Sequence, residues 1–159
     1  MSPTPTATPT TRLAALGVTL PPAPAAVAVY VPAVRSGDLV WTSGQLPFVD
    51  GALAGTGLVG DGEGFVPPHD AARLARICAL NALAAMAAVA DLDRLRIVKV
   101  VGFVASAPGF AGQPAVVDGA STLLGEVFGD AGRHARSAVG VGALPLGAPV
   151  EVELVAALT

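Results

Sequence analysis

The sequence predicts an α+β fold in which two α-helices cover one face of a mixed β-sheet, and three observations lead there. Two long segments, 69–90 and 112–132, repeat apolar residues at helical spacing. Five shorter β-branched or alternating segments flank them, in the order strand, strand, hairpin, helix, strand, helix, strand, strand. Charge is scarce: the 159 residues are 53% hydrophobic and 13% charged, against a usual charged share of about 25%. Two helices can cover only one face of a sheet. The other face, with so little charge to cover it, is expected to be buried against copies of the same chain.

The elements follow from local chemistry. The opening "MSPTPTATPTT" is a Pro/Thr repeat, and residues 1–24 are expected to form a flexible arm, relieved by a short helix in "TRLAALGV" that ends at Gly17. Residues 25–159 are expected to form a single domain. "VAVYVPAV" (27–34) and "DLVWTSGQL" (38–46) read as strands joined by "RSGD", with Pro32 confining the first to an edge or a bulge. Asp50-Gly51 marks a tight hairpin inside the Gly-rich stretch 47–68. The helix at 69–90 follows Pro67 and Pro68, with Asp70 as its expected cap. "RIVKVVGFVAS" (96–106) is almost continuously apolar, which predicts a strand covered on both faces. The second helix has Pro114 in its first turn and stops at Gly129. The last strands lie at about 136–142 and 149–157.

Composition excludes several classes of function. The net charge is -3 and Lys99 is the single lysine, so the basic footprint of a nucleic-acid binder is missing. The alanine-rich run is broken by Asn81, Asp91 and Asp93, which argues against a membrane span. The start has no apolar core segment, so no signal peptide is expected and the protein is placed in the cytoplasm. The single cysteine, Cys78, excludes an internal disulfide and reads as a small core residue. His69 and His134 have no metal-ligand spacing, and neither a phosphate-binding loop nor a Ser nucleophile elbow is present. No metal and no cofactor are expected.

Polar residues on the strands remain: Tyr30, Ser43, Gln45, Arg136, Glu151 and Glu153. In "VEVELVA", Val150, Val152 and Leu154 share one face, and Glu151 and Glu153 the other. In "RSAVGVG", assigning Val139 and Val141 to the helix layer puts Arg136, Ala138 and Gly140 on the same open face as the glutamates. A structural ion pair would explain Arg136 with a glutamate. An arginine among small residues also suits bidentate capture of a carboxylate.

"YVPAVRSGDLVWTSGQLP", "VKVVGFVAS", "HARSAVGV" and "LPLGAPVEVE" together resemble the RidA (YjgF) family of reactive-intermediate deaminases, whose older labels include L-PSP endoribonuclease. The resemblance runs from about residue 25 to the C-terminus. It implies a chorismate-mutase-like fold, a homotrimer with ligand clefts between subunits, and hydrolysis of 2-imino or 2-enamino acids to 2-oxo acids and ammonia without metal or cofactor. It also implies site residues. Arg136 would clamp the substrate carboxylate and Glu151 would handle the attacking water. Tyr30, Ser43 and Ala138 would line the cleft, Ala138 standing where better-known deaminases have cysteine. Glu151 is then expected to have a raised pKa that Arg136 partly opposes. The alternative is a non-catalytic trimer that binds a small carboxylate as sensor or scaffold. An endoribonuclease is disfavoured by the single lysine, the missing basic run and the missing histidine pair for acid/base cleavage. A chorismate mutase would want more cations than Arg136 offers, unless Arg35 or Arg133 contributes.

Overall fold

The structure is a computed structural model that describes residues 7–23 and 29–159. In chain order the elements are α1 (Pro9–Ala15), β1 (Ala33–Ser36), β2 (Leu39–Thr42), β3 (Phe48–Val49), β4 (Ala52–Leu53), α2 (Pro68–Ala87), β5 (Leu95–Ala105), α3 (Gln113–Phe128), β6 (Ala135–Val141) and β7 (Val150–Leu158). Five strands form one sheet in the order β1-β2-β7-β5-β6, and β3 and β4 form a separate hairpin. Only β5 and β6 run parallel, with α3 as their crossover. The fold is the expected mixed sheet with two long helices on one face.

α2 starts at Pro68, where a residue without an N–H costs no helical hydrogen bond. Asp70 is not the cap: it lies inside the first turn, against the helix dipole, and pairs with Arg73. Leu74, Cys78, Leu83 and Met86 point into the core with the alanines between them. α3 contributes Val116, Val117, Ala120, Leu123, Leu124 and Val127. The two helices touch backbone to backbone. A Cβ on Gly119 would overlap the Ala72 carbonyl oxygen, so glycine is what permits the crossing. Arg76 and Glu126 tie the pair at its rim, at 2.8 Å. Below them lie Val40, Ile97, Val100, Val104, Val150, Val152, Leu154 and Ala156 from the sheet.

Asn81 is the polar exception in α2. Its Nδ2 donates to the carbonyls of Leu46 (2.9 Å) and Phe48 (3.1 Å), satisfying backbone where the chain enters β3. The β3–β4 turn is the expected one, with Asp50 and Gly51 both at positive φ (50° and 83°), the twist that suits a two-residue hairpin. Cys78 is fully buried and donates its thiol to the Val150 carbonyl. Burial, and then the charge of Glu151, push its pKa up, so the thiol stays protonated.

Three expectations change. The described part of the supposed arm, residues 7–23, carries α1, whose Leu13 joins the core. α1 packs beside α3, and Thr10 N–H donates to Asp93 Oδ1 at 2.8 Å. The first strand begins after Pro32, since proline cannot supply a ladder N–H, and β1 is an edge strand; residues 27–28 of the expected strand lie outside the described residues. β5 is covered on one face alone within a single chain: Val100 and Val104 are buried, while Val101 and Phe103 on the other face are partly exposed. Among the described residues, no helix is long and apolar enough to cross a membrane.

Candidate functional site

The register of β6 decides where Arg136 points. In the parallel pairing, Val100 lies beside Arg136, Gly102 beside Ala138 and Val104 beside Gly140. Val100 and Val104 face the helices, so Arg136, Ala138 and Gly140 do as well, and Ser137 and Val139 face the open side. The sequence expectation had β6 inverted. Its premise was that valines seek the helix layer, but the open face is itself apolar, with Trp41 47% and Val139 42% exposed. The small residues of β6 reflect close approach by neighbouring side chains. Ala138 packs against the core, and a Cβ on Gly140 would crowd Gln113 and Ser106.

Arg136 is therefore held by α3. Its Nη1 donates to Asp118 Oδ1 at 2.6 Å and to Ser121 Oγ at 3.1 Å. The side chain keeps 25% of its exposure. Its Nε and Nη2 donate to nothing among the described residues, and no buried side-chain nitrogen is left orphaned there, so water reaches them. That free edge is the one that a carboxylate engages with two parallel bonds.

Glu151 lies on the opposite face. It pairs across with Phe103, and Glu153 with Val101. Desolvation by burial, followed by the neighbouring charge of Glu153, raises its pKa. The direction is the expected one, but Arg136, behind the sheet, has no part in it. Glu151 owes its place to a bulge in β2. Trp41 pairs with Val155 and Gln45 bridges Val152, so β2 spends one more residue than β7 over this stretch. Thr42 Oγ1 accepts from Leu154 N–H at 2.9 Å, filling the gap in the ladder. At the bulge the Glu151 carboxylate lies directly over Gly44, occupying the space that a Cβ would need. The glycine of "TSGQ" makes room for that carboxylate.

Ser43, one residue earlier, donates its hydroxyl to Val31 O at 2.7 Å and its backbone N–H to Pro32 O at 2.8 Å. Those bonds fix the segment carrying Tyr30 against β2. Tyr30, Val31, Val34, Trp41, Thr42 and Ser43 border an open concavity of about 380 Å³, together with Val29. One chain thus brings Tyr30 and Ser43 together, with Glu151 beside Gly44. It places Arg136 and Ala138 on the other side of the sheet. Asp118, Ser121 and Glu153's effect on Glu151 were not foreseen. The i, i+3 spacing of Asp118 and Ser121 on one side of α3 was the available signal.

A family model described as "YjgF/chorismate_mutase-like, putative endoribonuclease" matches residues 10–158. The chain belongs to the YjgF (Rid) family. Among solved structures of the fold, protein Atu1372 of Agrobacterium tumefaciens, of unknown function, is 44% identical with a TM-score of 0.82, covering 93% of this chain and 91% of its own. A putative endoribonuclease from Shewanella oneidensis is 35% identical with a TM-score of 0.88, covering 95% and 99%. E. coli TdcF, solved with bound serine, is 25% identical with a TM-score of 0.62, covering 86% and 94%. The YjgF family match starts at residue 10, so it takes in α1 as well.

Proposed function

We propose that this YjgF-family chain hydrolyses 2-imino and 2-enamino acids to 2-oxo acids and ammonia, at a site assembled from two copies of itself. The observation that carries this reading is the pairing of an anchored arginine with a free bidentate edge and a carboxyl group with a raised pKa. Within one chain they lie on opposite faces of the sheet. A ligand that touches both needs Arg136 from one subunit and Glu151, Tyr30 and Ser43 from another. The apolar open face supplies a surface for that association, and the family resemblance gives its order as a homotrimer. Serine in TdcF shows that the same fold holds a small amino acid.

The chemistry is balanced without a redox partner. An enamine first takes a proton on carbon to become the iminium. Arg136 holds the substrate carboxylate. Water adds its oxygen to the C=N carbon while Glu151 takes a proton from it, giving a carbinolamine. Glu151 returns the proton to nitrogen, the C–N bond breaks, the hydroxyl loses its proton, and ammonia leaves with the 2-oxo acid formed. A carboxyl group with a raised pKa suits both halves of this exchange.

The second reading is a trimeric small-carboxylate binder without turnover, favoured by Ala138 at the family's cysteine position. One experiment separates the two. Imino acids with several side chains are generated in situ, and 2-oxo acid release is followed with wild type and Arg136→Ala. Acceleration over buffer that drops by about a hundredfold in kcat/KM for Arg136→Ala supports the deaminase. No acceleration with any side chain, together with saturable 2-oxo acid binding, supports the binder. The endoribonuclease of the family's description has less support here, with one lysine and a net charge of -3.

A further inference from the structure

We infer that Asp118, Ser121 and His134 form a directed hydrogen-bond chain that positions Arg136 and keeps its Nε/Nη2 edge turned out for a carboxylate; this rests on the clamp reading of Arg136 given above. The direction of the chain follows from which atoms can donate. The Gly132 carbonyl only accepts, so at 2.6 Å it takes its proton from His134 Nδ1. In the neutral ring, Nε2 is then the acceptor, and the Ser121 hydroxyl donates to it at 3.0 Å. With its proton committed, Ser121 Oγ offers a lone pair, and Arg136 Nη1 donates into it at 3.1 Å. Asp118 Oδ1 takes a second bond from the same Nη1 at 2.6 Å. Two acceptors on one nitrogen stop the guanidinium from rotating, and its other donors stay unengaged.

The chain joins three separate parts of the fold. Asp118 and Ser121 lie on α3, His134 sits just before β6, and Arg136 is in β6. His134 is anchored by the turn that ends α3, where Gly132 is buried against the Leu124 carbonyl. The guanidinium is thus referenced to the helix layer. This makes Asp118, Ser121 and His134 positioning residues, none of which need touch the substrate. Orienting one edge of a planar cation before binding saves the ordering cost that a free arginine would meet on capture.

The test reads position and binding separately, in the full chain. NMR of the arginine side chains follows rotation about the guanidinium bonds, and imidazole nitrogen shifts report the His134 tautomer. The chain predicts resolved, slowly exchanging Arg136 Nη signals in wild type and a His134 ring protonated at Nδ1. In Ser121→Ala and Asp118→Asn the Arg136 signals average, while Ser121→Thr restores them. The Kd of 2-oxobutanoate rises about tenfold in Ser121→Ala, and the melting temperature and Ser121→Thr affinity stay near wild type. Freely rotating Arg136 in wild type, a proton on Nε2 with none on Nδ1, or signals unchanged in both variants would overturn the inference. Failure of wild type to bind 2-oxobutanoate, with the Arg136 signals still resolved, would sink the clamp reading and leave the positioning chain standing.

Discussion

Gly44 and Glu151 show how much chemistry one missing Cβ can decide. The Glu151 carboxylate rests in the space above Gly44. In Gly44→Ala the added methyl meets the mobile end of a side chain, which can swing away, so the fold should survive with a melting temperature within a few degrees of wild type. Glu151 would lose its seat, and imino acid turnover should fall at least about tenfold. Parallel melting and turnover measurements check this. The raised pKa of Glu151 has a sign that can be tested directly. Its native state holds the proton more tightly than the unfolded chain does. The associated stability is therefore full below the ordinary glutamate value of 4.5 and is lost as pH rises through the raised native value. Glu151→Gln never ionises. Its melting temperature should exceed that of wild type near neutral pH, and the gap should close in acid. Half-exposure of the group keeps the effect small.

Among the elements, α1 is the short helix expected near "TRLAALGV", but it is packed into the domain and does not lie in a flexible arm. Pro and Thr in the opening residues read as an arm, yet Thr8 caps a helix by accepting from Thr11 N–H, Pro9 begins it, and Leu13 enters the core. Asp93 draws the helix in by accepting from Thr10. Desolvation works against ionisation of Asp93, but bonds from the Thr10 backbone, Thr10 and Thr8 together outweigh it and lower its pKa. If the segment is part of the domain, Leu13→Ala should cost about 2–3 kcal/mol in a denaturant titration, the ordinary loss for a buried leucine at the rim of a core. An unchanged midpoint would mean that the helix adds nothing to the fold. α2 and α3 behave as their patterns predicted, because each buries a face that the sequence marks at regular spacing.

For the molecule as a whole, the open sheet face is the feature that most needs a partner. Trp41, Val34 and Leu39 on β1 and β2, and Val139 on β6, are all exposed in the single chain. Burying an indole of that size is a large share of what an interface gains. A homotrimer should appear in light scattering at micromolar concentration. Trp41→Glu should weaken it at least tenfold and reduce turnover with it, since Arg136 and Glu151 would no longer meet. A wild-type monomer that turns over imino acids would contradict both the surface argument and the shared site.

The amino-acid sequence by itself determined the class of fold, the two long helices, the hairpin at Asp50-Gly51, the family, and the face of β7 that bears the glutamates. These rest on local chemistry, in which apolar spacing, proline, glycine and strand alternation act within a few residues. Tertiary structure decided the rest. The side taken by Arg136 depends on the register of β6 against β5, a contact between residues 36 apart in sequence for Val100 and Arg136, and alternation says only that Arg136 opposes Val139. With apolar groups on both faces of the sheet, hydrophobicity could not choose between them. The packing of α3 did, through Asp118 and Ser121, and it put Arg136 on the helix side of the sheet, opposite Glu151.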